Sequence, residues 1–351
     1  MSPLTESVPP KLYGGTERVV SFLTEELVND GHEVTLFASG DSVTRANLVA
    51  CVPRALRFES RCVDPFAHHM RMVEEVARRE GEFDVIHFHV GHPHFPVMRR
   101  LGTPHVSTMH GRLDIPDLLP LYRTFADEPL VSISDAQRAP VEFAAWQGTV
   151  HNGLPSDLLS FRETRGQYLA FLGRMSPEKG VERAIEIAKR TGMLLKMAAK
   201  VDKVDEEYFG SRIKPLLDDP LIEFLGEIDE PEKDRFLGEA AVVLFPVEWP
   251  EPFGLVMIEA MACGTPVVAF ARGSVPEVIV DGVSGFVVEN VDEAVDAVQR
   301  ALLLPRRLCR DSFEQRFTAQ RMADEYLSIY EKLLDAETSA EITGSFRRCQ
   351  L

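Results

Sequence analysis

Apolar residues first recur at helical spacing at Val19, Val20, Leu23 and Leu27, and Gly31 stops that helix. A short apolar run over 34–38 follows and predicts a strand. A helix over 70–79 leads to a strand over 84–88. Further strands are predicted over 105–109, 129–133 and 148–150, with helical stretches between them. His151, Asn152, Gly153, Leu154 and Pro155 are turn-rich and break the rhythm. A second series then predicts strands over 168–172, 194–198, 221–225, 241–245 and 266–270. Helices over 181–190, 206–217, 232–239 and 255–262 separate them. Residues 292–304 and 311–334 read as helical, and the tail from Asp335 as polar and loosely ordered.

Short apolar strands alternating with helices predict parallel α/β sheets covered on both faces. The expected architecture is two doubly wound, Rossmann-like domains, 1–152 and 153–334, with a cleft between them and a polar tail over 335–351. The last helix is free to pack back on the N-terminal domain. Ligands on such sheets bind beyond the carboxyl ends of the strands.

Composition narrows the function. The 351 residues are 45% hydrophobic and 26% charged, which excludes a disordered chain. Fifty-five acidic against 38 basic residues give a net charge of −17. Such a chain has no general attraction to nucleic acid, so an anionic ligand needs a local cationic pocket. Cys51, Cys62, Cys263, Cys309 and Cys349 form no CxxC and no metal-ligand spacing. They read as reduced thiols of a cytosolic protein. The first residues show no signal-peptide pattern, and no apolar run approaches the roughly 20 residues of a membrane span.

Four clusters follow predicted strands or open predicted helices. Gly14 and Gly15 precede the first helix, where paired glycines let a backbone approach a phosphate. Arg174 and Lys179 flank a turn after a strand, a placement that suits a diphosphate; the plain alternative is two solvated cations. Glu251, Phe253, Gly254 and Leu255 lie in the loop before a helix whose free amides suit an anion. Glu259, eight residues beyond Glu251, is a carboxylate among apolar neighbours and needs a partner, for which sugar or ribose hydroxyls are natural. His110 ends an N-terminal strand, where it either bonds a substrate hydroxyl, shuttles a proton near neutral pH, or is structural. His87, His89, His92 and His94 space as H-x-H-x2-H-x-H, but Pro93 interrupts the run, and hydrogen-bonded or solvated histidines are favoured over a metal site. No D-x-D triplet occurs in the sequence.

Together these segments resemble the family 4 retaining glycosyltransferases of GT-B fold. The resemblance rests on YGGTERVV at 13–20, TMHG at 108–111, VSISD at 131–135, VHNGL at 150–154, FLGRMSPEKG at 171–180, VEWPEPFGLVMIEAMACGTPVVAF at 247–270, GSVPEVIVDGVSGFVV at 273–288 and FTAQRMADEYLSIY at 317–330. It spans residues 3–334, with 247–288 the most specific part. The resemblance implies transfer of a hexose-type sugar from a nucleotide-diphosphate sugar to a glycan, lipid or small-molecule hydroxyl, with no bound metal and no cofactor. It implies that Arg174 and Lys179 hold the diphosphate, that Gly14 and Gly15 approach it, and that the amides after Phe253, at Gly254 and Leu255, face it. It further implies that Glu259 binds the ribose, and that Glu251 and His110 contact the transferred sugar. The implied setting is cytosolic or peripheral at a membrane. The alternatives are a GT-B epimerase, or a sugar-nucleotide-binding protein without turnover.

One departure stands out. The family begins with an apolar strand just before the position of Ser2, Pro3 and Leu4, and here Met1 stands where that strand should end. The expectation is a first strand absent from the N-terminal sheet, a marginal N-terminal domain, and a start of the native chain further upstream or a crippled form.

Overall fold

The computed structural model describes the backbone of residues 1–348 and the side chains of residues 1–336. Cys349 therefore lies outside the described residues; Cys51, Cys62, Cys263 and Cys309 are free thiols. The chain forms two compact units. The first comprises Met1–Ile133, Arg138–His151 and Ala319–Leu351; the second comprises Ser134–Gln137 and Asn152–Thr318. The C-terminal segment thus belongs to the first unit.

The first unit runs α1 (Gly15–Asn29), β1 (Thr35–Ser39), β2 (Asn47–Val52), α2 (Pro65–Arg78), β3 (Ile86–Phe88), α3 (Phe95–Met98), β4 (His105–Thr108), α4 (Leu118–Thr124), β5 (Pro129–Ser132), α5 (Asp135–Arg138, mostly in the second unit) and β6 (Ala145–Thr149). All strand pairs are parallel, in two sheets ordered β1-β2 and β3-β4-β5-β6. α2 starts before its apolar stripe because Asp64 caps it, accepting from the Phe66 and Ala67 amides, with Pro65 in its first turn. The stripe Met72, Val73 and Val76 then packs with Phe37, Ile86 and Phe88. β2 was not expected, although 48–52 is an apolar run; the strand is largely half-exposed and, among the described residues, pairs only with β1.

Among the described residues no strand pairs with both β1 and β3. Two residues bridge the gap instead. The Ser2 N–H donates to the Phe37 carbonyl at 3.0 Å, and the His89 N–H to the Met1 carbonyl at 3.1 Å. The Met1 amine donates to the His87 carbonyl at 2.7 Å.

The second unit runs β7 (Leu169–Arg174), α6 (Val181–Thr191), β8 (Leu195–Lys200), α7 (Glu206–Tyr208), β9 (Ile222–Gly226), α8 (Glu230–Gly238), β10 (Val242–Phe245), α9 (Leu255–Ala262), β11 (Val267–Phe270), α10 (Val275–Val278), β12 (Gly285–Val288), α11 (Val291–Ala301) and α12 (Arg306–Arg316). Its six parallel strands are ordered β12-β11-β10-β7-β8-β9. The crossovers therefore run away from each other at β7 and β10, which sit side by side at the centre. Their carboxyl ends form a topological switch point, where open α/β sheets bind ligands. β10 and β11 are buried along their whole length, which their uninterrupted VVLF and VVAF runs dictate.

Three expectations need correction. The helix expected over 206–217 is broken after α7 into a π turn and a 3-10 turn, Lys214–Leu216, within which Pro215 has no amide to donate. The helix expected over 311–334 is interrupted at Phe317, whose carbonyl accepts from the Leu154 N–H at 2.9 Å and whose φ of −136° and ψ of 27° leave the helical region. Asp335, where the polar tail was expected to start, lies inside α13 (Ala319–Arg348), since 335–343 contains neither Gly nor Pro to stop a helix.

Candidate active site

In the second unit the two loops at the switch point are built against each other. Arg174 is the last residue of β7, and a single turn, Pro177–Lys179, carries Lys179 to the start of α6. Gly180 follows at φ +71°, and a Cβ there would lie 1.8 Å from the Pro246 carbonyl oxygen in the loop after β10. The Glu248 N–H donates to the Glu178 carbonyl at 2.9 Å, joining the loops again.

Each sequence-predicted cation has an acidic partner. Arg174 pairs with Glu178 and reaches Asp205 at 3.3 Å. Lys179 Nζ lies 2.5 Å from Glu251 Oε2, and Trp249 Nε1 donates to that same oxygen at 2.7 Å. The ammonium also lies 4.9 Å from the Trp249 ring centroid, within cation–π range. Lys179 and Glu251 thus form a compact, largely buried pair that the sequence places in separate motifs.

The loop bearing Glu251, Phe253, Gly254 and Leu255 is anchored through its carbonyls. The Ser274 N–H donates to the Glu251 carbonyl at 3.0 Å. Ser274 Oγ donates to the Phe253 carbonyl at 2.8 Å, and Ser134 Oγ to the Pro252 carbonyl at 2.7 Å. Gly254, at φ +80°, turns the chain into α9, leaving the Leu255 and Val256 amides as donors without a helical acceptor, while the Met257 N–H donates to the Gly254 carbonyl at 3.0 Å. Phe253 is buried and packs edge-on against Phe317.

Gly273 holds the loop from the other side. Its φ is +58°, and an added Cβ would lie 2.3 Å from the Glu251 oxygen and 2.5 Å from its nitrogen. Gly273→Ala must push the Glu251 backbone aside. We expect a loss of about 1–3 kcal/mol in stability from overpacking, together with a fall in turnover. Urea denaturation checks the first effect; an unchanged midpoint would contradict it.

Glu259 is buried in α9, as its apolar neighbours require. Its partner is a protein cation: Lys233 Nζ lies 2.5 Å from Glu259 Oε1 and 2.8 Å from Glu230. Sequence reasoning missed Lys233, although its spacing to Phe236 and Leu237, three and four residues on, puts it on the buried stripe of α8. Trp249, Asp205, Gly273 and Ser274 were also missed.

The remaining predicted residues belong to the first unit. Gly15 opens α1, and a Cβ on Gly14 would lie 2.8 Å from the Pro10 side chain. Beside this turn, Glu17 Oε1 accepts from the Glu6 amide at 3.4 Å, and Glu6 pairs with Arg57. Burial pushes the Glu17 carboxyl up.

The histidines divide between the two faces of one sheet. β3 pairs with β4 so that His87 opposes Val106 and Phe88 opposes Ser107. With a period of two, His87, His89, Thr108 and His110 share one face. There His87 Nδ1 meets the Tyr330 hydroxyl and Nε2 meets Thr108 Oγ1, both at 2.7 Å. Thr108 Oγ1 meets the Tyr326 hydroxyl at 2.9 Å, and His89 Nδ1 meets His110 Nε2 at 2.9 Å. On the other face His94 stacks on Phe88 and bonds Ser107 at 2.6 Å. Among the described residues no group of three His, Cys, Asp or Glu side chains is placed to hold a metal ion.

Burial lowers the His110 imidazole from its usual 6.5 to about 4. The ring is therefore neutral at pH 7, with one nitrogen a donor and the other an acceptor. Between the two values the unfolded chain takes up a proton that the folded ring refuses. Stability should therefore fall as pH drops from 6.5 toward 4, and this contribution is flat above 6.5. Melting temperatures across that window check this; the acid loss should be smaller in His110→Gln, and an equal loss would contradict the assignment.

Two parallel Rossmann-like units in one chain, the second with its polar loops gathered at the switch point, define a GT-B glycosyltransferase. A structure of AviGT4, a glycosyltransferase involved in avilamycin A biosynthesis, matches with a TM-score of 0.72 and 26% identity, covering 94% of this chain and 93% of that one. The Anabaena protein HepE in complex with UDP-glucose matches in fold with a TM-score of 0.67 and 17% identity over 95% of this chain and 98% of that one. The Glycosyltransferase Family 4 model matches residues 13–141, and the Glycosyl transferases group 1 model matches 160–317. The chain belongs to this glycosyltransferase family. A phosphatidyl-myo-inositol mannosyltransferase of Mycobacterium leprae is 26% identical over 94% of this chain and 96% of its own length. No helix of the described residues is long and apolar enough to cross a membrane.

Proposed function

We propose that the protein transfers a hexose from a nucleoside-diphosphate sugar to an acceptor hydroxyl, retaining anomeric configuration, with Arg174 and Lys179 rather than a metal ion neutralising the diphosphate. The observation that carries this reading is the pair of loops at the β7–β10 switch point, one bearing Arg174 and Lys179, the other Glu251 and the amides at the start of α9. A diphosphate there competes with Glu251 for Lys179, which frees the Glu251 carboxylate for a sugar hydroxyl. Glu259, fixed by Lys233, offers its second oxygen to a ribose hydroxyl. His110, neutral, bonds a hydroxyl of the transferred sugar, and Gly14 and Gly15 let the backbone approach the phosphates. HepE, solved with UDP-glucose, and the inositol-lipid mannosyltransferase of M. leprae support the nucleotide-sugar and polar-acceptor classes. The acceptor is a glycan, lipid or small molecule, met in the cytosol or at a membrane surface.

Thermal shift with UDP, GDP and ADP tests donor binding. One of them at 100 times its dissociation constant stabilises by about 2.7 kcal/mol. Glu259→Gln should weaken that ligand roughly tenfold, the loss of one charge-assisted hydrogen bond of about 1.5 kcal/mol. An unchanged affinity would remove Glu259 from the ribose site.

A further inference from the structure

His89 and His110 form a hydrogen-bonded pair on the β3–β4 face. We propose that His89 is the positioning residue for His110, and that the two rings act as one unit in which the proton on His89 decides whether His110 Nδ1 donates or accepts. This rests on the reading of His110 as a group that bonds a substrate hydroxyl.

A neutral imidazole carries one N–H. The bond between His89 Nδ1 and His110 Nε2, 2.9 Å long, needs one donor and one acceptor. If His89 Nδ1 donates, the His110 proton sits on Nδ1, and His110 offers a donor. If His110 Nε2 donates, its Nδ1 is bare, and His110 offers an acceptor. The outer nitrogens of the pair are therefore always opposite in character. Burial holds both rings in the neutral form to which this counting applies. His89 is only 5% exposed, and its ring lies 4.0 Å from that of His87. His87 is itself fixed at both nitrogens by Tyr330 and Thr108, and Thr108 by Tyr326. α13 thus holds the stack on which His89 rests.

The test compares His89→Leu, which deletes the bond, with His89→Asn, whose amide occupies the place of Nδ1. We expect His89→Leu to lower kcat about 100-fold, at the low end of what one preorganised hydrogen-bonding group contributes, with the donor KM changed less than threefold. His89→Asn should recover at least tenfold of that loss. On a His110→Ala background, His89→Leu should cost less than threefold more. Equal losses in the Leu and Asn variants, a full additive loss on the His110→Ala background, or wild-type turnover in His89→Leu would each overturn the proposal. Nitrogen-15 NMR of the histidine rings gives a readout independent of folding of the Leu variant and of turnover. His110 should show one fixed tautomer in the wild type and keep that tautomer in His89→Asn. A freely averaging His110 ring in the wild type would overturn the proposal. A fixed tautomer in an enzyme without transfer activity would instead refute the functional reading and leave the positioning intact.

Discussion

Lys179→Ala should lower the rate of sugar transfer by about 10²–10³-fold, the usual cost of removing one preorganised stabiliser of developing charge. The leaving diphosphate gains negative charge as the glycosidic bond breaks. Lys179 is held for that task by three neighbours: Glu251, the Trp249 ring, and Gly180, which fixes the turn against Pro246. Its side chain is only 15% exposed, so water screens it little. Arg174→Ala should cost a similar factor through the other cation of the turn. Loss of Lys179 also leaves Glu251 buried with only the Trp249 donor. The double variant Lys179→Ala with Glu251→Gln therefore separates the effects: it should recover stability and remain slow. Steady-state rates with saturating donor decide the matter, and wild-type rates in both single variants would end the diphosphate assignment.

Arg306→Met should destabilise the second unit by about 3–5 kcal/mol, a large part of the roughly 5–15 kcal/mol that holds a domain folded. Arg306 is buried with no carboxylate bonded to it among the described residues, and burial lowers its pKa. Its donors instead reach the carbonyls of Arg162, Ala240 and Gly238 at 2.6–2.8 Å and Thr265 Oγ1 at 2.6 Å. Two of these carbonyls close the end of α8, where the helix dipole favours a cation. Methionine fills the space but donates nothing, and each buried acceptor left without a donor costs about 1–3 kcal/mol. Arg306→Lys should recover only part, since one ammonium cannot reach acceptors spread around a planar fork. Urea unfolding measures both; a loss below 1 kcal/mol for Met would show that water replaces the guanidinium.

The central strands were legible because they are buried on both faces and read as plain apolar runs, as in β10 and β11. β2 was missed although 48–52 is apolar, because it is a short, half-exposed edge strand and not one of the strands buried on both faces. β12 was missed for a related reason: it is a short edge strand opening at Gly285, where an added Cβ would sit 2.0 Å from the Val267 oxygen. In the site, residue types and their positions after strands singled out Arg174, Lys179, Glu251 and Glu259. Their pairings were hidden, since Lys179 meets Glu251 across 72 residues and Lys233 meets Glu259 across 26. The histidine run shows the same limit. Its spacing along one strand invited a metal reading, whereas the register of β3 on β4 decides that His89 faces His110 and that His94 faces Ser107.

The account turns on group transfer from an activated sugar at the β7–β10 switch point. The most direct measurement incubates the protein with UDP-, GDP- and ADP-hexoses and an acceptor mixture in excess EDTA, and follows the anomeric proton by NMR. The account predicts release of one nucleoside diphosphate together with a new glycoside of the donor's own anomeric configuration, in the wild type and not in Lys179→Ala. A product of inverted configuration, turnover abolished by EDTA, or binding of a sugar nucleotide with neither hydrolysis nor transfer would contradict it.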